Sequence, residues 1–131
     1  PSGPRLAEGD FDLLVFDVGQ GQALAIRTRH QLVLYDLGPG WPGGNAGERV
    51  LRPWLQKQRR PVALAFISHG DIDHAGGLPG VTGLIPPHRL YSGSDGVPAG
   101  AQRCLRGQQW LLDGVRVEVL WPAPVLPVPA C

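Results

Sequence analysis

VALAFISHGDIDHAGG, residues 62–77, joins the most apolar segment of the chain to its densest group of polar side chains. Residues 62–67 are continuously apolar, which predicts a strand buried on both faces. Glycines at 76 and 77 then close the polar segment. The stretch therefore predicts a buried strand that runs directly into a loop rich in functional groups.

Four potential metal ligands follow this strand within six positions, namely His69, Asp71, Asp73 and His74. A loop that leaves a strand end can bring such closely spaced side chains to one point. Imidazole and carboxylate groups together suit zinc, manganese or iron rather than calcium. Asp and Gly also form solvated turns, but two histidines that bracket two aspartates favour metal binding over that alternative.

Three short strands are predicted before this stretch. The apolar run at 11–18 predicts a strand buried on both faces, and the segments 22–29 and 32–36 predict two more. Because only short turns separate them, we expect an antiparallel meander. The segment 38–47, GPGWPGGNAG, has no periodicity and predicts an irregular loop.

Apolar residues then recur at helical spacing. A helix is predicted to begin near Arg52, which puts Pro53 in the first turn, where proline is tolerated, and to end at Arg60-Pro61. Shorter predicted elements are a glycine-interrupted helix at 75–81, a strand at 89–91, a polar loop at 92–100, a helical turn at 101–106, and strands at 110–112 and 115–121 that flank the turn dipeptide Asp113-Gly114.

Composition narrows the class of protein. Glycine (19) and proline (14) fill 33 of 131 positions, which excludes a helical bundle and favours short strands joined by turns. A formal net charge of +1 is too low to nominate a dedicated nucleic-acid module. No apolar run approaches the roughly 20 residues of a membrane-spanning helix and no signal peptide is evident, so we expect a soluble piece. The absence of methionine, even at position 1, leads us to expect that it is cut from a longer polypeptide.

Two cysteines, Cys104 and Cys131, allow two interpretations. In a reducing cytosol they are a small apolar residue and a chain end. In an oxidising compartment they could form a disulfide. The sequence leaves both open.

SHGDIDHAGG resembles the metallo-β-lactamase superfamily signature, H-x-H-x-D-H. The combination of DVGQG, YDLGPGW, GERVLRPWL, SHGDIDHAGGL and LLDGVRVEVLWP resembles more narrowly the C-terminal domain of the ComEC family, the inner-membrane channel proteins of bacterial natural competence. In that family the second histidine of the motif is commonly aspartate, as at Asp71. The resemblance covers most of residues 11–122.

The resemblance implies an α/β (α+β) fold: the N-terminal half of a metallo-β-lactamase-like αββα sandwich, with a mostly antiparallel sheet and one or two helices packed on it. We expect a flexible lead-in at 1–10, the partial domain at 11–122, and a truncated proline-rich tail at 123–131.

The resemblance also implies roles for the motif residues. His69 and Asp71 would help to form one metal site, and Asp73 and His74 the other, with one or two divalent ions, zinc or manganese, in the complete domain. Asp73 would be catalytic, because it would orient a metal-bound hydroxide. Asp36 would support the ligand loop without binding metal, although a plain turn residue before Gly38 is an equal alternative.

The remaining histidines and turn aspartates are assigned to the surface rather than to the metal site: His30 and His88 as exposed residues, Asp95 and Asp113 as turn residues.

Since further ligands of the superfamily come from beyond this chain, we expect a half-site with weak metal binding and no efficient catalysis. The cationic residues Arg49, Arg52, Lys57, Arg59 and Arg60 could contact phosphate, but a solvated helix face is the favoured interpretation.

Three functions follow as hypotheses. The first is a domain of an inner-membrane DNA-uptake protein, with a metal-dependent nuclease-like site, single-stranded DNA as partner and the channel part of the same parent chain beside it; the side of the membrane stays open. The second is another hydrolase of the superfamily, although Asp71 argues against the lactamase and thioesterase branches. The third, expected for this piece alone, is a non-catalytic binding or structural domain that needs no partner to fold.

Overall fold

A six-stranded sheet forms the centre of the computed structural model, which describes residues 5–93 and 100–122. Its strands, in spatial order, are β1 (Asp12–Val15), β2 (Ala23–Arg27), β3 (Leu32–Leu37), β6 (Val62–Ile67), β7 (Leu90–Ser92) and β8 (Gln102–Arg103). Two small ribbons accompany it: β4 (Gly40–Trp41) with β5 (Gly44–Asn45), and β9 (Gln109–Leu112) with β10 (Val115–Glu118). The combination of this sheet with helices agrees with the predicted α/β class.

The predicted meander is confirmed, but the burial predicted for its first strand is wrong. β1 pairs with β2 and β2 with β3, both antiparallel. In β1, however, every second residue is exposed, and Leu13 and Val15 keep 56% and 72% of their surface. β1 is an edge strand that is covered on one face only, the face from which its partly buried residue Leu14 packs against the core.

The main sheet is mixed rather than mostly antiparallel. β3 pairs with β6, β6 with β7, and β7 with β8, all in parallel. Parallel neighbours require a crossover connection, and helix α1 (Arg52–Lys57) lies in the connection between β3 and β6. The part of the sheet that follows the meander is therefore built from crossovers.

Helix α1 begins at Arg52, with Pro53 in its first turn, as predicted. A π-helical turn, Gly47–Leu51, precedes it directly. The helix ends at Lys57, earlier than predicted, because Gln58 is already extended, with φ −82° and ψ 143°.

Three other local predictions are wrong. The segment 38–47 is not wholly irregular, since it contains the β4–β5 ribbon. The helix predicted at 75–81 is two elements, α2 (Ile72–Ala75) and a 3₁₀ turn (Leu78–Val81), divided by Gly76-Gly77. The helical turn predicted at 101–106 is strand β8, which pairs with β7. A second 3₁₀ turn, Pro87–Arg89, leads into β7.

The hairpin around Asp113-Gly114 is confirmed. β9 and β10 pair antiparallel with Leu112 opposite Val115. Both turn residues have positive φ, 51° at Asp113 and 81° at Gly114, which is the conformation of a type I′ turn.

Two apolar clusters cover opposite faces of the sheet, because successive strand residues point to opposite sides. The larger contains Ala23, Ala25, Leu32, Leu34, Leu37, Leu51, Leu55, Val62, Ala65, Ile67, Val81, Ile85 and Leu90. The smaller lies under the β9–β10 hairpin and contains Val33, Leu64, Phe66, Cys104, Leu112 and Val119.

Burial raises the pKa of the Cys104 thiol, so Cys104 behaves as a small apolar residue. The possible disulfide partner Cys131, the predicted turn residue Asp95 and the predicted tail at 123–131 lie outside the described residues. Over residues 5–93 and 100–122, none of the helices is both long and apolar enough to span a bilayer.

Candidate metal centre

The candidate site lies where two parallel strands end side by side. Asp36 is near the carboxyl end of β3, and Ser68 immediately follows β6. Because β3 and β6 are parallel neighbours, their carboxyl ends meet at one edge of the sheet. The segment from Ser68 to His74 leaves the sheet at this edge and carries all four predicted ligands, His69 and Asp71 in a loop and Asp73 and His74 on α2; it is called the ligand loop below.

Asp36 is the buried anchor of this loop. Its side chain is fully buried, and its φ of 57° is tolerated by aspartate better than by most residues. Oδ1 accepts hydrogen bonds from the backbone N–H of Ser68 (2.7 Å) and from its hydroxyl (3.0 Å). Oδ2 lies 3.0 Å from Nε2 of Gln22 and 2.7 Å from Nδ1 of His74. These contacts fix the position of the Asp36 carboxylate, and the same contacts hold the loop at the end of the strands.

The contact with Asp36 decides which nitrogen of His74 is available. A buried carboxylate accepts, so Nδ1 of His74 carries the hydrogen, and in the neutral ring Nε2 keeps its lone pair. Oδ2 of Asp73 lies 3.5 Å from that Nε2 atom. The hydrogen bond to Asp36 raises the pKa of His74, assisted by the charges of Asp36, Asp73 and Asp71 and opposed by burial.

The other two predicted ligands are nearby and more exposed. Nδ1 of His69 lies 3.5 Å from Oδ2 of Asp71, and their side chains keep 42% and 79% of their surface. The rings of His69 and His74 are 4.0 Å apart between centroids. The two imidazoles thus lie together, His69 beside Asp71, and His74 between Asp36 and Asp73.

The donor set fits a divalent cation in chemistry and in the fixed orientation of His74. It falls short of a full coordination sphere, since no group of three or more His, Cys, Asp or Glu side chains in the described parts of the chain is arranged to hold a metal ion. The donors therefore suit a divalent cation in kind, but in this arrangement they form only pairs of side chains, His69 with Asp71 and His74 with Asp73.

Close backbone contacts hold the loop against its neighbours. The N–H of Gln22 donates to the carbonyl of Asp73 over 3.1 Å. A Cβ atom on Gly21 would lie 2.5 Å from that carbonyl oxygen, and one on Gly76 would lie 2.1 Å from the nitrogen of Gly40. These glycines are required because the chain segments approach more closely than any side chain allows.

Sequence reasoning missed Gln22 and Ser68, which both bind Asp36. Ser68 had a signal, because it is the first residue after the buried strand and so must lie at the sheet edge. No pattern in the sequence marks Gln22, because only the folded sheet brings it to Asp36. His30 and His88 are exposed, as predicted, and lie on other loops.

Comparison with known proteins gives a consistent result. The profile of the metallo-beta-lactamase superfamily matches residues 16–103. The uncharacterized protein YcaI of Escherichia coli is 34% identical over 113 residues, which cover 86% of this chain and 15% of that protein. Recombination protein 2 of Haemophilus influenzae is 31% identical over 124 residues (93% and 16%), and competence protein ComA of Neisseria gonorrhoeae is 33% identical over 117 residues (88% and 16%).

The chain thus spans less than a fifth of the length of these relatives. The names of Recombination protein 2 and competence protein ComA agree with the resemblance to the competence family that the motifs indicate. No solved structure is significantly similar to the chain.

Proposed function

Since the chain belongs to the metallo-beta-lactamase superfamily, we propose that it supplies part of a divalent-metal-dependent phosphodiester hydrolase site in a protein that handles DNA during uptake. The superfamily generally binds divalent metals. The DNA-uptake context is supported by the names of the competence and recombination relatives.

The observation that carries the proposal is the contact between Asp36 and His74. The Asp36 carboxylate accepts from Nδ1 at 2.7 Å, which keeps Nε2 free and fixes the plane of the ring. A histidine held in this way is the usual preparation of a metal ligand. Ser68 and Gln22 complete the bonding of Asp36, so the orientation does not depend on solvent.

In this proposal His69 and Asp71 hold one cation, and Asp73 and His74 hold another. Zinc and manganese both suit these ligands. Such a cation, when bound, activates water and stabilises charge on phosphate oxygens. The carboxylate of Asp73 keeps 44% of its surface, so it can accept a proton from a water molecule and orient that water toward a phosphodiester.

The wider role belongs to the parent protein. We place the parent in the inner membrane, with a channel part that admits one DNA strand and with this domain acting on single-stranded DNA. The described residues leave the side of the membrane open.

A second candidate is a binding or structural domain that keeps a weak metal site without catalysis. It is favoured by the incomplete donor set, since no group of three or more His, Cys, Asp or Glu side chains among the described residues is arranged to hold a metal ion. Metal content by elemental analysis, with and without His74→Ala, tests whether the chain holds a cation at this loop. Retention of the same metal content by His74→Ala would reject both candidates as drawn.

The catalytic proposal is tested on a natural full-length protein that carries this domain. Single-stranded DNA is incubated with it in the presence of manganese or zinc, and His69→Ala and Asp73→Ala are compared with His88→Ala. His88 is an exposed histidine outside the loop, so its removal should leave the rate unchanged. We expect the two loop variants to lose hydrolysis by about a hundredfold or more. Equal rates in all four proteins would refute the catalytic assignment.

A further inference from the structure

A second site of different chemistry lies at the other end of β3. A cavity of about 500 Å³ is lined by Arg5, Leu6, Ala7, Arg29, His30 and Arg60; it is called the basic pocket below. Arg29 and His30 are in the turn before β3, whereas Asp36 is near the end of that strand. Six residue steps of extended chain from His30 to Asp36 place the basic pocket roughly 20 Å from the candidate metal centre.

The turn that carries two of the lining residues is rigidly held. The N–H of Thr28 donates to the carbonyl of Gln31 over 2.9 Å. Oδ2 of Asp113, from the β9–β10 turn, accepts from the Thr28 hydroxyl and from the N–H of His30, both over 2.7 Å. Thr28 is fully buried, so Arg29 and His30 project from a fixed base, and little ordering remains to be done when a ligand binds.

Arg60 closes the pocket and braces the same turn. Its Nε donates to the carbonyl of Thr28 over 2.7 Å and to that of Arg29 over 3.2 Å. Among the described residues these are its only hydrogen bonds, so its terminal nitrogens are free to donate to a ligand. The side chains of Arg5 and Arg29 make no hydrogen bond or ion pair within 5–93 and 100–122.

The lining itself carries only positive charge. The pKa of the neighbouring Asp12 carboxyl is lowered mainly by a side-chain hydrogen bond from Arg27 and further by Arg60. The pKa of the neighbouring Asp113 carboxyl is lowered mainly by a side-chain hydrogen bond from Thr28 and further by Arg29. The lining side chains carry three guanidinium groups and no carboxylate. The nearby acids are already engaged: Asp12 accepts from Nε of Arg27 over 2.8 Å, and Asp113 binds the turn. Three guanidinium groups around one cavity suit a phosphate group, which matches their planar arrangement of donors.

We infer that the basic pocket binds a phosphate group of single-stranded nucleic acid, at a distance from the position where the metal centre would act. The inference rests on the proposed function for the kind of polyanion, because a polymer can reach both sites at once. A purely solvated set of arginines would not need a turn fixed by Asp113 and Arg60.

The test is binding of a short fluorescent oligodeoxythymidine to the 131-residue chain, measured by anisotropy in EDTA over a series of salt concentrations. Arg5→Gln combined with Arg29→Gln removes two exposed cations and spares Arg60, which braces the turn. The matched control combines Arg106→Gln with Arg116→Gln, two exposed arginines that do not line the pocket.

We expect the pocket pair to raise the Kd about tenfold and to reduce the slope of log K against log salt by about 1.4, for two lost phosphate contacts to a single strand. The control pair should change the Kd by less than about twofold. Equal effects of the two pairs would overturn the inference, since they would mean that only net charge matters. Pocket-dependent binding of phosphatidylglycerol vesicles without pocket-dependent binding of the oligonucleotide would also overturn it, in favour of a membrane surface.

The two proposals can fail separately. Binding is measured without metal, so an inactive metal centre leaves the result unaffected. Conversely, loss of hydrolysis in Asp73→Ala with oligonucleotide binding insensitive to Arg5 and Arg29 would uphold the proposed function and reject the basic pocket.

Discussion

Replacing Asp36 by asparagine is the sharpest perturbation of the candidate site. Asparagine has the same shape and tolerates the positive φ of 57°, so the backbone is not strained. One carboxylate oxygen becomes an amide NH₂ group. If the amide oxygen stays with Ser68, the new donor faces Nε2 of Gln22 and Nδ1 of His74, which both donate in the native protein.

The cost can be worked out from those contacts. A buried donor that loses its acceptor costs about 1–3 kcal/mol, and His74 can reduce its share by moving its hydrogen from Nδ1 to Nε2. We therefore expect Asp36→Asn to lower the free energy of unfolding by about 2–4 kcal/mol. For a domain with a total of about 5–15 kcal/mol, the variant should still fold.

Urea unfolding in EDTA, followed by tryptophan fluorescence, measures this loss. The midpoint should fall by about 1–2 M for an m-value of about 2 kcal/mol/M. Asp17→Asn is the matched control, because Asp17 is exposed and should tolerate the change within about 0.5 kcal/mol. A loss below about 1 kcal/mol in Asp36→Asn would refute the view that this carboxylate anchors the loop.

Three further changes test the fold around the site. Gly47→Ala should lower the free energy of unfolding by more than about 3 kcal/mol or prevent folding, because its Cβ would lie 1.7 Å from the carbonyl oxygen of Gly77. Gly83→Ala should lower it by only about 1–2 kcal/mol, because Gly83 has a φ of 86° but open space around it. Leu34→Ala should cost about 2–5 kcal/mol because Leu34 is fully buried, and Leu111→Ala, at a residue 73% exposed, should cost less than about 0.5 kcal/mol. The hydrogen bond from the buried hydroxyl of Thr28 lowers the pKa of Asp113. The ionised Asp113 carboxylate therefore stabilises the fold fully above about pH 4, and this stabilisation is lost as the pH falls further. Asp113→Asn should remove that part of the acid dependence of the free energy of unfolding.

Urea titrations of each variant, repeated at several pH values for the last, measure all three. Equal losses for the two glycine variants would contradict the close backbone approach. Equal losses for the two leucine variants would contradict the assignment of the core. An acid dependence unchanged in Asp113→Asn would show that other carboxylates account for it.

The sequence was most informative where a local pattern sufficed. The run at 62–67 predicted β6, because a continuous apolar run is typical of a strand buried on both faces, and Asp113-Gly114 predicted its hairpin, because few dipeptides accept two positive φ values. The ligand loop was also visible, since its side chains are neighbours in the chain. These features depend on residues a few positions apart.

The remaining features of the fold and the site depend on contacts between segments that are distant in the chain. Val15 is exposed because none of the residues at 5–93 and 100–122 covers the outer face of β1, and the apolar run at 11–18 does not contain that information. Strand β8 is only two residues long and exists because β7 offers it an edge. The contact of Gln22 with Asp36 joins residues 14 positions apart, so only the folded sheet could identify it.

Nitrogen-15 NMR of the histidine rings during a zinc titration tests most directly whether His74 is held ready for a metal. The account predicts that Nδ1 of His74 stays protonated, that the Nε2 resonance of His74 shifts on addition of zinc, and that the exposed His88 ring does not respond. A neutral His74 ring that carries its hydrogen on Nε2 before zinc is added, or a ring that responds no more than His88, would contradict the account.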